Sequence, residues 1–218
     1  MQPRKAALCL SAALILGLAV SAPPAGAAET GAAPAVNYAA ILRTINPDLQ
    51  VHESRAYARS VLADSQRSNV DPALIVALVS VESSWRPGAV SPSGARGLAQ
   101  LMPTTARKLG VDAWDPADNL RGATAYLRSL INRFAGRGVD TMRYAIGAYN
   151  AGPRAVELNG GLPNGGTRRY VSRVFAQWHS LNARIARSLA DVAAAVPDDE
   201  RTWLAGTTAS ALPDSAAR

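Results

Sequence analysis

Glu82 has surroundings that a surface glutamate seldom has. It follows the run 73–81, Ala-Leu-Ile-Val-Ala-Leu-Val-Ser-Val, and opens a segment punctuated by Pro87, Gly88, Pro92, Gly94 and Gly97. A carboxyl held against apolar side chains loses hydration on ionising, so its pKa rises and it keeps a transferable proton near neutrality, as a general acid must. Residue type alone points the other way, to an exposed group near a helix end. Ser91, Gln100, Tyr149 and Asn150 lie downstream and could orient such an acid or hold a neutral polar ligand. Each also has a purely structural role open to it. Ser91 before Pro92 starts a turn, Gln100 caps the helix that Pro103 opens, and Tyr149 with Asn150 forms a helix-terminal packing pair. Trp85 fits the core or a sugar platform equally. His52 and His179 lack the His, Cys or acidic spacing of metal ligands, so both are read as structural, with no metal and no cofactor expected.

These groups must be carried on helices. A first helix is expected over 54–68, ending at Asn69; Asp71 then caps a second with Pro72 in its first position. That second helix, 73–81, is apolar almost all round and therefore belongs in the core. Met102-Pro103-Thr104 opens a short helix stopped by Gly110. Over 118–135 Leu120, Ala123, Leu127, Leu130, Ile131 and Phe134 recur at the spacing of one buried helical face. Another helix, 140–151, ends at Gly152-Pro153, and a Gly- and Asn-rich loop fills 159–166. Tyr170, Val171, Val174, Phe175, Trp178 and Leu181 mark a long amphipathic helix from about Thr167. The fold class expected is all-α, a single helical domain over 52–185, with no sheet beyond a short hairpin in the Gly-rich loop.

Both ends read differently. Arg4 and Lys5, the apolar run 6–20 and the small residues 25–28 are the three parts of a secretory signal peptide, placed at 1–27. The apolar run is short of the roughly 20 residues of a membrane span, so no stable span is expected. Residues 28–51 are Ala, Pro and Gly rich and read as a flexible leader; 186–218 read as a helix end and a frayed tail. Cys9 is the only cysteine and leaves with the signal peptide, so neither disulfide nor thiol chemistry remains. Removing Arg4 and Lys5 takes the formal charge from +7 to +5. A basic exported domain suits an acidic partner, but its bases are scattered and not interleaved with aromatics, so no nucleic-acid partner is expected.

Three blocks carry a resemblance: Val81-Glu82-Ser83-Ser84-Trp85, then Ser91-Pro92-Ser93-Gly94-Ala95-Arg96-Gly97-Leu98-Ala99-Gln100-Leu101-Met102-Pro103, then Ala148-Tyr149-Asn150-Ala151-Gly152-Pro153. In order and separation they resemble the soluble lytic transglycosylase family on the lysozyme-like fold, over about 68–181. The resemblance implies that Glu82 is the catalytic acid and base, with Ser83 part of its signature. It implies that Ser91 faces the reacting sugar, that Gln100 and Met102 line the groove, that Tyr149 approaches the glutamate and that Asn150 fixes that turn. Where the family often has a glutamate before its Thr-x-x-Tyr-Val segment, this chain has Gly166.

Glycosidases commonly flank the scissile bond with two carboxylates. None accompanies Glu82 within the three blocks; Asp71, Asp112, Asp115, Asp118, Asp140 and Glu157 read as caps, turns or surface groups. One glutamate suits a substrate that supplies its own nucleophile, which the resemblance implies is muramic acid in peptidoglycan glycan strands, closing to a 1,6-anhydro ring. Two alternatives stand beside this: a lysozyme-type hydrolase using Asp115 or Asp118 to hold water, and a non-catalytic glycan-binding or secretion-assembly module. General wall turnover and service to a secretion, pilus or conjugation machine are both compatible with the sequence.

Overall fold

The structure is a computed structural model that describes residues 36–195. The chain there forms helices α1 (Tyr38–Ile45), α2 (Val51–Ser68), α3 (Pro72–Glu82), α4 (Pro103–Leu109), α5 (Pro116–Arg133), a 3-10 segment (Ala135–Asp140), α6 (Thr141–Ala151), α7 (Pro153–Leu158) and α8 (Gly165–Ala195). Among the described residues extended backbone pairs only at isolated antiparallel bridges, Val90 with Arg96 and Arg96 with Leu101. The all-α expectation holds.

The apolar sequence of α3 places it at the centre. Every residue from Ala73 to Ser80 is buried, with α8 packed along one side and α2 along another. Leu74, Ile75 and Leu78 meet a core completed by Val61 of α2, Leu120 and Leu127 of α5, Ile146 of α6, and Val174 and Leu181 of α8. Each such side chain contributes about 1.5–3 kcal/mol on leaving water, so α3 is a rigid rod. Its start is fixed too: the Asp71 carboxylate accepts from the Ala73 N–H at 2.8 Å and, through its other oxygen, from the Trp178 indole N–H of α8 at 2.6 Å. Glu82 is the last residue of this rod.

Several boundaries differ from expectation. Residues 28–51 are expected as a flexible leader, yet 38–45 form α1, whose Tyr38 and Leu42 are buried in the main core together with Leu49. Eight residues with one buried stripe are too few to stand out from an Ala-rich background; burial against α2 stabilises them, not propensity. Helix α2 starts at Val51, where Gln50 and Glu53 form a reciprocal capping box. Helix α5 starts after Asp115, whose side chain accepts from the Asp118 N–H at 2.7 Å. Gly152-Pro153 ends α6 as expected, but Pro153 also opens α7, since proline is tolerated in a first turn. Helix α8 begins at Gly165 and runs to Ala195, past the expected boundary at 185. His179 stacks beside Phe175 and Trp178, a structural placement. The signal peptide expected over 1–27 and the tail beyond 195 lie outside the described residues.

Candidate active site

The chain leaves α3 through a costly turn. Ser83 caps the helix, and Ser84 and Trp85 then both take left-handed backbone, φ +52° and +61°. For non-glycine residues this costs about 1 kcal/mol or more each. The Trp85 side chain offsets the cost. It is fully buried, stacks on Tyr57 at 6.3 Å, and donates its indole N–H to Ser80 Oγ at 3.2 Å. Its carbonyl accepts from Asn46 Nδ2 at 3.1 Å, and Ser83 Oγ accepts from the Arg86 N–H at 3.2 Å. Of its two sequence readings, Trp85 takes the core one. The turn is therefore locked on both sides, and the direction of the Glu82 side chain with it.

Tyr170, buried on α8, donates its hydroxyl to Glu82 Oε1 at 2.5 Å. Burial pushes the Glu82 carboxyl up from 4.5 to about 7, while the Tyr170 hydrogen bond and then the Arg173 charge hold it back from rising further. Burial and the neighbouring Glu82 raise the Tyr170 phenol well above its ordinary range, so it remains a donor at neutral pH. Tyr149 is the phenol expected beside the glutamate. It lies within reach of the Glu82 charge, which with burial raises its own pKa, but its hydroxyl donates to the Ala99 carbonyl at 2.9 Å. The phenol in contact with the acid is Tyr170, 88 residues from it in sequence.

Tyr149 is one of several clamps on the loop 83–102. Asn119, fully buried on α5, accepts from the Ala99 N–H at 2.8 Å and donates to the carbonyls of Arg96 at 2.9 Å and Ala113 at 2.8 Å. Gly97 makes room for that amide: its φ is +76°, and a Cβ there would stand 2.4 Å from the Ala113 oxygen and 2.5 Å from Asn119 Nδ2. Gln100 donates to the carbonyls of Ala89 and Gly97, both at 3.0 Å, so its amide N–H groups serve its own loop and not a groove. Ser91 Oγ accepts from the Ala95 N–H at 3.0 Å and shapes the same loop. Met102 stands at the start of α4, partly exposed.

Beyond Tyr170 the surface opens into a cleft of about 650 Å³, walled by Asn150 of α6 and by Gly166, Thr167, Arg169 and Arg173 of α8. Asn150 Oδ1 accepts from Thr167 Oγ1 at 3.2 Å, tying the end of α6 to the start of α8. A partly buried acid with a neutral-range pKa, a phenol donating to it and an open cleft together make a site for protonating a leaving group. Most of the other described acids, including Asp115 and Asp118, are engaged elsewhere. Asp64 pairs with Arg67, Asp118 with Arg121, Asp140 with Arg143 and Glu157 with Arg133, while Asp71 and Asp115 cap helices and Asp112 accepts from the Trp114 N–H. Among the described residues no group of His, Cys, Asp and Glu is placed to hold a metal ion.

The sequence profile of the Transglycosylase SLT domain matches residues 59–168, which holds Glu82, Ser91, Gln100, Asn119 and Tyr149. The chain belongs to that family. Over 90 residues the SLT domain is 41% identical to "Transglycosylase" of Enterobacteria phage PRD1, covering 41% of this chain and 34% of the phage protein. Over 117 residues it is 32% identical to "Membrane-bound lytic murein transglycosylase F" of Shewanella sp. (strain ANA-3), covering 48% of this chain and 24% of that protein. Among solved structures it is similar to an inactive glutamate-to-glutamine mutant of lytic transglycosylase Slt from Pseudomonas aeruginosa, with a TM-score of 0.50 and 29% identity, covering 67% of this chain and 28% of that one. The chain thus spans about a third or less of the length of these relatives.

Two residues that complete the site of this SLT domain are not singled out by sequence reasoning. Tyr170 reads there only as one member of the apolar stripe of α8, although a phenol on such a stripe has a polar tip to satisfy. Asn119 follows Asp118 in the helix that Asp115 caps and passes for part of its first turn. At position 166, glycine lines the cleft, and an added Cβ would meet Asn164 Oδ1 at 3.1 Å.

Proposed function

We propose that this protein is a peptidoglycan lytic transglycosylase, cleaving the MurNAc–GlcNAc β-1,4 bond without water and leaving 1,6-anhydro-MurNAc ends. The observation that carries the proposal is Glu82 itself, a single carboxyl with a pKa of about 7, hydrogen-bonded by Tyr170, which lines a cleft of about 650 Å³. Near neutrality a useful fraction of it is protonated, so it can deliver a proton to the departing GlcNAc oxygen. The acetamido oxygen of the muramoyl residue assists at C1 as that bond breaks. Glu82, now a carboxylate, then takes the proton of the C6 hydroxyl as the C6 oxygen bonds to C1 and the acetamido oxygen leaves it. The proton gained and the proton given balance, and no second carboxylate is required. The engagement of Asp115 in a helix cap and of Asp118 in an ion pair supports this over a two-carboxylate hydrolase. Ser91 and Gln100 act through the loop they hold, and Asn150 through the cleft wall.

The family of the chain and the names of its relatives support the wall as substrate. The signal-peptide pattern at 1–27 supports export to the periplasm or envelope, and among the described residues no helix is long and apolar enough to cross a membrane.

Glu82→Gln keeps shape and polarity and removes the transferable proton. Soluble muropeptide release from purified wall is expected to fall by at least about 100-fold, the usual effect of losing a general acid, with folding and glycan binding retained. Mass spectrometry of the wild-type products is expected to find anhydro ends. Reducing ends would establish a hydrolase instead, and equal release by Glu82→Gln would show the carboxyl to be structural.

A further inference from the structure

Helix α8 brings a run of basic residues to the cleft. Arg168 and Arg169 are exposed near its start, Arg173 is exposed one turn after Arg169, and its first turn holds no acid. That end of a helix carries positive partial charge, so cations gathered there repel both it and one another. None of the three arginines pairs with a carboxylate among the described residues; Arg55 and Arg59 on α2 are equally unpaired, but they do not line the cleft. Arg169 and Arg173 stand one turn apart and both line the cleft, beside Asn150, Asn164 and Tyr170. Arg169 Nη1 lies 3.4 Å from where a Cβ on Gly165 would be. Arg173 lies close enough to Glu82 for its charge to act on that carboxyl.

Uncompensated positive charge on one wall of a ligand cleft is stabilised when the ligand brings the counter-charge. We propose that Arg169 and Arg173 form a carboxylate-binding subsite that recognises the acidic group carried by the muramoyl residue next to the scissile bond. This rests on the glycan-cleaving function proposed above. Sugar rings and acetamido groups are neutral, so on a glycan strand the acid is either the free lactyl carboxylate of a bare strand or a carboxylate of the peptide attached through it. A planar guanidinium matches a carboxylate with two parallel N–H donors, and two of them one turn apart clamp it from both sides. The subsite would set the register of the strand by its acidic substituent and leave Glu82 facing the bond on the reducing side of that residue.

The test measures binding to the full chain carrying Glu82→Gln, so that no ligand is turned over. Three tetrasaccharide probes serve: chitotetraose, which has no carboxylate; a bare muramoyl glycan with free lactyl carboxylates; and the same glycan bearing peptides. Arg169→Gln with Arg173→Gln is expected to weaken binding of a carboxylate-bearing probe by about 10- to 100-fold, the range for losing charge-assisted hydrogen bonds, and to leave chitotetraose unchanged. The probe that loses more identifies the source, lactyl or peptide. Both residues are exposed, so the double variant is expected to fold. Arg55→Gln with Arg59→Gln, exposed on α2, removes the same charge elsewhere and is expected to change no affinity by more than about twofold. Equal weakening of chitotetraose, equal weakening by the α2 variant, or no weakening at all would overturn the subsite. Failure to bind any of the three probes would overturn it together with the wall-cleaving function, whereas the expected pattern with reducing-end products from wild type would leave the subsite standing and remove the anhydro-forming mechanism alone.

Discussion

Glu82 titrates where it does because two opposed effects act on one carboxyl. Desolvation raises its pKa, and the Tyr170 hydroxyl, donating at 2.5 Å, stabilises the carboxylate and holds the pKa down at about 7. A general acid must be protonated, so kcat/KM of the wild type is expected to fall above about pH 7. Tyr170→Phe removes the interaction that favours the charged form and leaves the burial, so this alkaline limb is expected to move up by about one pH unit, whatever happens to the maximal rate. An unmoved or lowered limb would show that the phenol does not act on the acid. Stability follows the same group in a defined direction. Below about pH 4.5 Glu82 is protonated in folded and unfolded chains alike and costs nothing. Between there and about pH 7 the unfolded chain ionises first, so its stability advantage grows as pH rises, to on the order of 3 kcal/mol above that window. Glu82→Gln lacks this penalty. Its melting temperature is therefore expected to exceed that of the wild type by a margin that is small at pH 5 and widens by pH 8.

At the scale of elements, the loop 83–102 has almost no regular structure and is held by side chains from elsewhere. Gly97 and Asn119 are its tightest point, because the buried amide fills the space that any Cβ at position 97 would occupy. Gly97→Ala must therefore displace Asn119 as well as adopt a positive φ, and is expected to destabilise the fold by about 2–4 kcal/mol in urea titration and to reduce turnover through the displaced Ala99. A loss below about 0.5 kcal/mol would show that the loop yields freely. The elements legible from sequence are those with a local cause: α3 from its unbroken apolar run and the Asp71-Pro72 start, α5 from its repeating apolar face, and the loop from its glycines and prolines. Glu82 is legible for the same reason, as a carboxyl ending an apolar helix. Helices α1 and α7 are too short to show a period and are stabilised by what they pack against. Tyr170 and Asn119 are illegible as site residues because their partners, Glu82 and the Ala99 backbone, are distant in sequence and meet only when α3, α5 and α8 pack. Tyr149 shows the converse: its motif leads to the expectation that it approaches the acid, and only the folded chain decides that its hydroxyl goes to Ala99.

For the whole molecule, the stretch matched by the family, 59–168, is smaller than the unit that folds. Tyr38, Leu42, Leu49 and Tyr57 before it, and Tyr170, Val171, Val174 and Leu181 after it, are all buried in the same core as Leu74 and Leu78. At about 1.5–3 kcal/mol for each side chain, losing these eight removes at least about 12 kcal/mol of burial, comparable with the whole 5–15 kcal/mol by which a typical domain is stable. The entropy saved by not ordering α1 and α8 offsets part of that, but α3 would be left with its α8-facing side in water, and that side is apolar because α3 is apolar all round. A fragment 59–168 is therefore expected to lack a cooperative thermal transition by circular dichroism and to expose apolar surface to a hydrophobic dye, whereas 36–195 is expected to unfold in one sharp transition. The short fragment also lacks Tyr170, so even partial refolding would leave Glu82 without its donor. If 59–168 unfolds as sharply as 36–195, then α1 and α8 are accessories to a self-sufficient core, and the acid of this protein is held in place by α3 and its loop alone.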